Sequence, residues 1–270
     1  MKNSDFDYRY QYGNWHSDTP ESRRQDIFWL KELFGRHAAY PAEKNAAVLD
    51  IGCGMGRLLL MLKEAGYENL TGVDLDASQV EAARKDGVDA RLADANEFLK
   101  GSREKYGAIY AFDILEHVGK DKIVPLLRLM RGRLSEDGFV CLEVPNAMTP
   151  LANWVRYGDF THTVSYTPSS VTFLLRNSGF HFSSCRPQYR ESAEIRALKL
   201  PWARLYLAEM GMRDPILTPN LIVFAFKSEA ACERWKKEAP EIANEYAAPR
   251  ERRAGFFRRL FARAEKRRGE

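Results

Sequence analysis

"VLDIGCGMGRLLLMLKEAGYENLTGVDLD", residues 48–76, decides how the rest of the chain is read. Two apolar runs each end in an aspartate, Asp50 and Asp74, and three glycines (Gly52, Gly54, Gly56) follow the first run. Short apolar runs bounded by turn residues predict buried strands, and the apolar spacing over 56–66 predicts a helix between them. Strand, glycine turn, helix and strand make one βαβ unit. Parallel strands in such a unit bring both aspartates to the same edge of the sheet.

The alternation continues downstream. Strands are predicted at 47–51, 70–74, 88–92, 107–112, 138–144, 180–186 and 220–226. Helices are predicted at 56–66, 77–86, 95–99 and 119–134, with a capped helix within 167–180. This is the pattern of an α/β fold, a mostly parallel sheet with helices on both faces. Upstream, Thr19 as cap, Pro20 at the first helical position and Glu21 in the first turn predict a helix start. Its apolar face is Ile27, Leu30, Leu33 and Phe34. The expected organisation is an N-terminal helical and aromatic lid over 1–44, a main domain over 45–230 and a basic helical tail over 231–270. Segments 146–166 and 187–219 are insertions in the main domain.

The 270 residues are 45% hydrophobic and 29% charged, enough for a full core. No apolar run reaches the roughly 18–20 residues of a membrane span. The polar, aromatic N-terminus does not read as a signal peptide. Cys53, Cys141, Cys185 and Cys232 form no C-x-x-C pair, so reduced thiols and a cytoplasmic location are expected. The net charge is +4. Residues 248–270 alone carry nine basic and three acidic side chains, so the rest of the chain is slightly acidic. A nucleic-acid-binding body is therefore not expected.

Ligands of open α/β sheets sit beyond the carboxyl ends of the strands, where the strand order reverses. Glycines let the backbone approach a ligand closely. A carboxylate ending the second strand, Asp74, can accept both hydroxyls of a ribose. Asp94, ending the third strand, can accept from an adenine amino group. These residues predict a nucleoside-containing cofactor. The turn is G-x-G-x-G and not the G-x-G-x-x-G of dinucleotide sites.

Five stretches in order, "VLDIGCGMGRLL" (48–59), "GVDLD" (72–76), "RLADANEFL" (91–99), "IYAFDILEHV" (109–118) and "RGRLSEDGFVCLEVPN" (131–146), resemble the successive motifs of class I S-adenosylmethionine-dependent methyltransferases. The resemblance implies a Rossmann-like, seven-stranded, mostly parallel sheet whose last strand is antiparallel, which suits "NLIVFAFK" (220–227). It implies S-adenosylmethionine as cofactor. Gly52 and Gly54 would then lie near its methionine part, and Asp50 would support the loop or the methionine amino group. Asp74 would hold the ribose, Asp94 and Ala95 would frame the adenine, and Phe112 and Asp113 would lie by the methyl group. Cys53 and Leu75, next to these, complete the expected cofactor-binding set.

"FDILEHV" (112–118) brings Asp113, Glu116 and His117 together, and "GDFTHTVSY" (158–166) adds Asp159 and His162. Three uses compete. An imidazole of His117 or His162 can take a hydroxyl proton as a general base. Asp113, Glu116, His117 and His162 can hold a divalent metal. D-x-x-E-H with a distant His resembles the E-x-x-E-H…H metal site of plant small-RNA 2′-O-methyltransferases, and is similar to that of ubiquinone-pathway O-methyltransferases. Here aspartate replaces the first glutamate, and no metal is expected. Third, the motif can simply cap the following helix.

Residues 144–180 and 205–227 resemble a bacterial subgroup of these enzymes linked to surface-polysaccharide and glycan biosynthesis. That implies an O-methyltransferase acting on a sugar hydroxyl, or on a glycan phosphate positioned by Arg156, Arg186, Arg190 or Arg196. A small phenolic or quinone-like acceptor, and a cofactor-binding module without turnover, are the alternatives. Tyr8, Tyr12, Trp15 and Trp154 are candidates for stacking on a sugar or adenine. In the tail, Phe256, Phe257, Leu260 and Phe261 form one helical stripe among arginines, which suits peripheral contact with an anionic membrane.

Overall fold

A computed structural model of the chain describes residues 18–149, 152–188, 201–202 and 216–240. Packing divides the chain into two units, and every element below lies in the first, Met1–Gln188 with Thr218–Ile242. Tyr8, Tyr12, Trp15, Arg190, Arg196 and the aromatic stripe of the tail lie outside the described residues, as does most of the insertion over 187–219.

Seven strands form one sheet. They are β1 (Val48–Ile51), β2 (Leu70–Asp74), β3 (Ala90–Leu92), β4 (Tyr106–Phe112), β5 (Leu134–Pro145), β6 (Phe182–Pro187) and β7 (Asn220–Phe226). The order is β3-β2-β1-β4-β5-β7-β6. The first five pair in parallel, and β7 runs antiparallel to both β5 and β6. The order reverses between β1 and β4, so the crevice expected for the cofactor opens beside Asp50.

Helices α1 (Pro20–His37), α2 (Arg57–Glu64), α3 (Ala77–Lys85), α4 (Ala95–Gly101), α5 (Lys120–Arg133), α6 (Ala152–Gly158), α7 (Pro168–Asn177) and α8 (Glu229–Glu238) surround the sheet. The start of α1 is as its sequence predicts. Thr19 and Ser22 each bond the other's backbone N–H at 3.1 Å, a reciprocal cap that satisfies two orphan donors. Helix α6, within the insertion over 146–166, has no counterpart in the pattern of its sequence.

Two expected boundaries are not followed by the packing. Helix α1 is a core helix: Phe34 is fully buried against Tyr40, Tyr110 and Phe112. Burying such a ring stabilises by roughly 1.5–3 kcal/mol, which ties the helix to the sheet. Helix α8 also belongs to the sheet. Ala231, Cys232 and Trp235 are buried, and the Trp235 ring lies 4.6 Å from that of Phe224. The Trp235 indole donates to the Ala38 carbonyl at 3.1 Å, joining α8 to the end of α1. The physical reason is that both helices carry a large aromatic on an otherwise polar surface, which a charge count over the segment hides.

All four cysteines are free thiols. Among the described residues no helix is long and apolar enough to cross a membrane.

Candidate active site

The carboxyl ends of β1, β2 and β3 present the three aspartates expected there. The glycine turn after β1 is latched to β2: Gly52 and Cys53 both donate to the Val73 carbonyl, at 2.8 and 3.1 Å. Gly52 has φ +73°, and a Cβ on it would come within 1.9 Å of Ile114, so this turn touches the loop after β4. Gly54, at φ +51°, is different. A Cβ there would meet only Gln79 Oε1, at 3.5 Å, leaving room for a ligand against the backbone.

Asp74 organises the turn. Its Oδ2 accepts from Gly54 N at 2.8 Å, and its Oδ1 accepts from Asp76 N at 2.9 Å. A carboxylate offers about four lone-pair sites, and with Leu75 N–H also bearing on it Asp74 keeps room to accept from a ribose hydroxyl. Asp50 is buried, and burial holds its carboxyl well above the usual range, with the Asp74 charge adding to the effect. Asp74 is also raised, by burial first, while the N–H groups of Asp76 and Gly54 oppose the shift. Two crowded carboxylates beside an open glycine backbone fit a cationic nucleoside: the cation relieves their charge, and the ribose uses the spare lone pairs.

Asp94 caps α4, its Oδ1 accepting from Asn96 N and Glu97 N at 2.9 and 3.2 Å. Ala95 is the first residue of that helix, and Leu75 is exposed beside Asp74. The Cys53 side chain instead joins the core cluster, so only its backbone faces the turn. The Phe112 ring packs edge-on to Phe34 and Tyr110. Arg186, considered for phosphate, is engaged elsewhere: it donates to the Pro240 carbonyl and lies over the Trp235 ring.

The second half of the site assembles at the ends of β4 and β5. The insertion after β5 is stitched on both sides. Ala147 N donates to the Tyr166 carbonyl at 2.7 Å, and Tyr166 N donates to the Pro145 carbonyl at 2.8 Å. Thr163 N donates to the Glu116 carbonyl at 2.7 Å, and the Tyr166 hydroxyl to the Leu115 carbonyl at 2.9 Å. These bonds set His162 against His117, edge to face, with ring centroids 4.6 Å apart. Glu116, His117 and His162 each offer one ligand atom, all within 4.8 Å of one another.

Burial lowers the His117 imidazole to about 4, with His162 adding, and burial also lowers His162. Both rings are therefore neutral near pH 7. Glu116 is fully buried, and neither oxygen has a hydrogen-bond partner in another residue. Burial pushes its carboxyl well above the usual range, and the Asp113 charge adds to this. Asp113 itself sits at φ +54°, its N–H donating to the Glu143 carbonyl at 3.1 Å. That conformation costs a non-glycine residue roughly 1–2 kcal/mol, and aspartate is among the side chains that tolerate it.

Three residues of this edge are not found by sequence reasoning. Glu143 is fully buried, and its Oε1 accepts from Gln188 Nε2 and, at 2.7 Å, from Asn220 Nδ2. The Asn220 amide also points to Asp113 Oδ1 at 3.4 Å. One signal was available: Glu143 is the lone charge in the apolar run "FVCLEVP" (139–145), and a buried carboxylate needs partners.

A family model described as a methyltransferase domain matches residues 21–183. EEF1A lysine methyltransferase 2 of Danio rerio is 34% identical over 91 residues, 32% of this chain and 36% of its own length. Ribosomal protein L11 methyltransferase of Burkholderia thailandensis is 51% identical over 43 residues, 16% of this chain and 14% of its own. The matches thus span about a third or less of these curated relatives. Among solved structures, a SAM dependent methyltransferase from Archaeoglobus fulgidus superposes with a TM-score of 0.61 at 20% identity, covering 81% of this chain and 99% of that one. One from Mesorhizobium loti gives 0.50 at 21% identity, covering 70% and 94%. At these identities the likeness is one of fold.

Proposed function

The chain belongs to the methyltransferase-domain family, and on that premise we propose that it methylates a hydroxyl oxygen of a glycan or glycan precursor. The donor is S-adenosylmethionine, which supplies an electrophilic methyl group when bound. On this chain Asp74 would hold its ribose, Asp94 and Ala95 its adenine, and Asp50 with the Gly52–Gly54 backbone its methionine end.

The observation that carries the oxygen reading is the neutral imidazole pair, His117 after β4 and His162 on the insertion, with ring centroids 4.6 Å apart. A hydroxyl becomes a good nucleophile only as its proton leaves. A neutral imidazole within reach accepts that proton in the transition state, for roughly 10²–10⁴-fold in rate. The proton ends on a ring nitrogen, and the nearby carboxylates stabilise the imidazolium. Alignment and exclusion of water supply the rest. The glycan half rests on the resemblance over 144–180, and on Trp154, Tyr157 and Phe160, exposed aromatics in the same insertion that carries His162. Flat aromatic faces suit the apolar faces of sugars.

One observation favours a second reading of the same residues. The buried Glu116 carboxylate without a partner, beside two neutral imidazoles, is a donor set that fits a divalent cation. A cation there would lower the pKa of a coordinated hydroxyl.

The test is transfer of labelled methyl from S-adenosylmethionine to nucleotide sugars, lipid-linked oligosaccharides, phenols and protein substrates offered in parallel. Base-stable label in a sugar supports the proposal; label in lysine side chains alone would overturn it. Chelation with and without added Mn²⁺ separates the two roles for Glu116.

A further inference from the structure

We propose that Asp159 is the positioning residue of this site: through Thr161 it sets the tautomer of His117, and its other oxygen faces His162. The inference deepens the function proposed above and rests on it for its consequence, though not for its geometry.

The Thr161 hydroxyl has one proton and two neighbours. Its Oγ1 lies 2.6 Å from Asp159 Oδ1 and 2.8 Å from His117 Nδ1. An ionised carboxylate only accepts, so the threonine proton goes to Asp159. The threonine oxygen can then only accept, and His117 must donate to it from Nδ1. In a neutral ring that leaves Nε2 without a proton. Thr161 cannot swing away easily, because its own backbone N–H donates to the same Asp159 Oδ1 at 2.7 Å. This is a local side-chain-to-backbone turn that ties both groups together.

The other oxygen of Asp159 faces the second ring. Oδ2 lies 3.6 Å from His162 Nε2, just beyond hydrogen-bond reach, and the Val155 backbone also bonds that ring. The Asp159 charge therefore bears on His162 without by itself fixing which nitrogen carries the proton. One carboxylate thus faces both imidazoles and assigns the tautomer of His117. His117 Nε2 is the bare nitrogen that the site offers to an incoming proton. His117 and His162 reach the site from different segments, and Asp159 is the group that couples them.

The test uses full-length protein labelled with ¹⁵N in histidine, in which bare and protonated ring nitrogens have well-separated shifts. The expected spectrum places the His117 proton on Nδ1. Thr161→Ser, which keeps the hydroxyl, preserves it. Thr161→Val, close in shape but without the acceptor, moves the proton to Nε2. Turnover in Thr161→Val then falls roughly 10- to 100-fold, the usual effect of losing the partner that orients a working histidine, with KM and cofactor affinity nearly unchanged. Asp159→Ala gives the same change at His117 and also shifts His162. A His117 proton on Nε2 in the unmodified protein overturns the proposal, as does Thr161→Val that keeps both the Nδ1–H form and full turnover. Full turnover of His117→Ala would instead overturn the proton-transfer role, and the spectra would still decide the tautomer.

Discussion

The imidazoles of His117 and His162 meet edge to face at 74°, although one lies in the loop after β4 and the other arrives on an insertion. Neither ring is held in place by the sheet alone. Their contact depends on Thr163 and Tyr166, which anchor the insertion to the Glu116 and Leu115 carbonyls. Replacing either ring by alanine is expected to cut turnover roughly 10²–10⁴-fold while calorimetry shows cofactor affinity unchanged. Matched losses of affinity and rate would mean that the rings serve the fold.

Asp50 is expected to trade stability against binding. Its carboxyl is raised by burial, so its ionisation opposes folding. The sign follows: stability is greatest below the unfolded pKa and is lost as pH rises through the folded one. Asp50→Asn should therefore raise the melting temperature of the cofactor-free protein, more at pH 8 than at pH 5. The same change should weaken S-adenosylmethionine binding by roughly 10-fold or more, the worth of a hydrogen bond to a charged group. Equal melting temperatures at both pH values would refute the first half.

Asp74→Ala removes more than a ribose contact. It also orphans the N–H groups of Gly54 and Asp76. Cofactor binding should vanish in a titration, and stability should fall by about 1–3 kcal/mol. Asp74→Asn can keep one of the two backbone bonds and should lose less stability than alanine, though most of the binding. Chemical denaturation of the three proteins side by side checks the order.

For Glu116 the two roles predict opposite responses. Without a cation, Glu116→Gln removes a buried, raised carboxyl and should stabilise the protein, again more at high pH than at low pH. If the cluster holds a divalent cation, Mn²⁺ should raise the melting temperature of the unmodified protein and leave Glu116→Gln unmoved. No effect of Mn²⁺ at millimolar concentration would end the metal role.

Truncation after Ala248 retains α8 and its Trp235 contact, so folding and cofactor binding should survive it. Co-sedimentation with anionic liposomes should fall after truncation, and should fall with added salt. Full-length protein that ignores such liposomes at low salt would remove the membrane role for the tail.

What could be read from the sequence follows the chain's punctuation. Asp50, Asp74 and Asp94 stand where apolar runs stop, and strand ends of a parallel sheet share an edge, so local pattern sufficed. The strands themselves fell within a few residues of expectation for the same reason. The Glu143–Asn220 bond was hidden because β5 and β7 pair antiparallel across a long, unpatterned connection. How closely helix α1 packs on the sheet was not legible because its exposed face is strongly charged, and only Leu33, Phe34 and His37 of it are buried. The Glu116–His117 and Asp159–His162 groups could each be seen, but their contact could not. It is made by the Thr163 backbone N–H and the Tyr166 hydroxyl on the Glu116 and Leu115 carbonyls, pairings that no local sequence pattern signals.

The stitched insertion also separates the chain into two inheritable parts. Every residue assigned to the methyl donor precedes Ser102 except Phe112 and Asp113 beside its methyl group, and every residue assigned to the acceptor's proton follows Tyr110. A crossover in the loop between α4 and β4 would therefore join the donor half of one such protein to the acceptor half of another, with the sheet contacts, the Gly52–Ile114 approach and the packing of α1 on Tyr110 and Phe112 to reconcile. New acceptors can arise in this architecture by recombination, without the glycine turn ever changing.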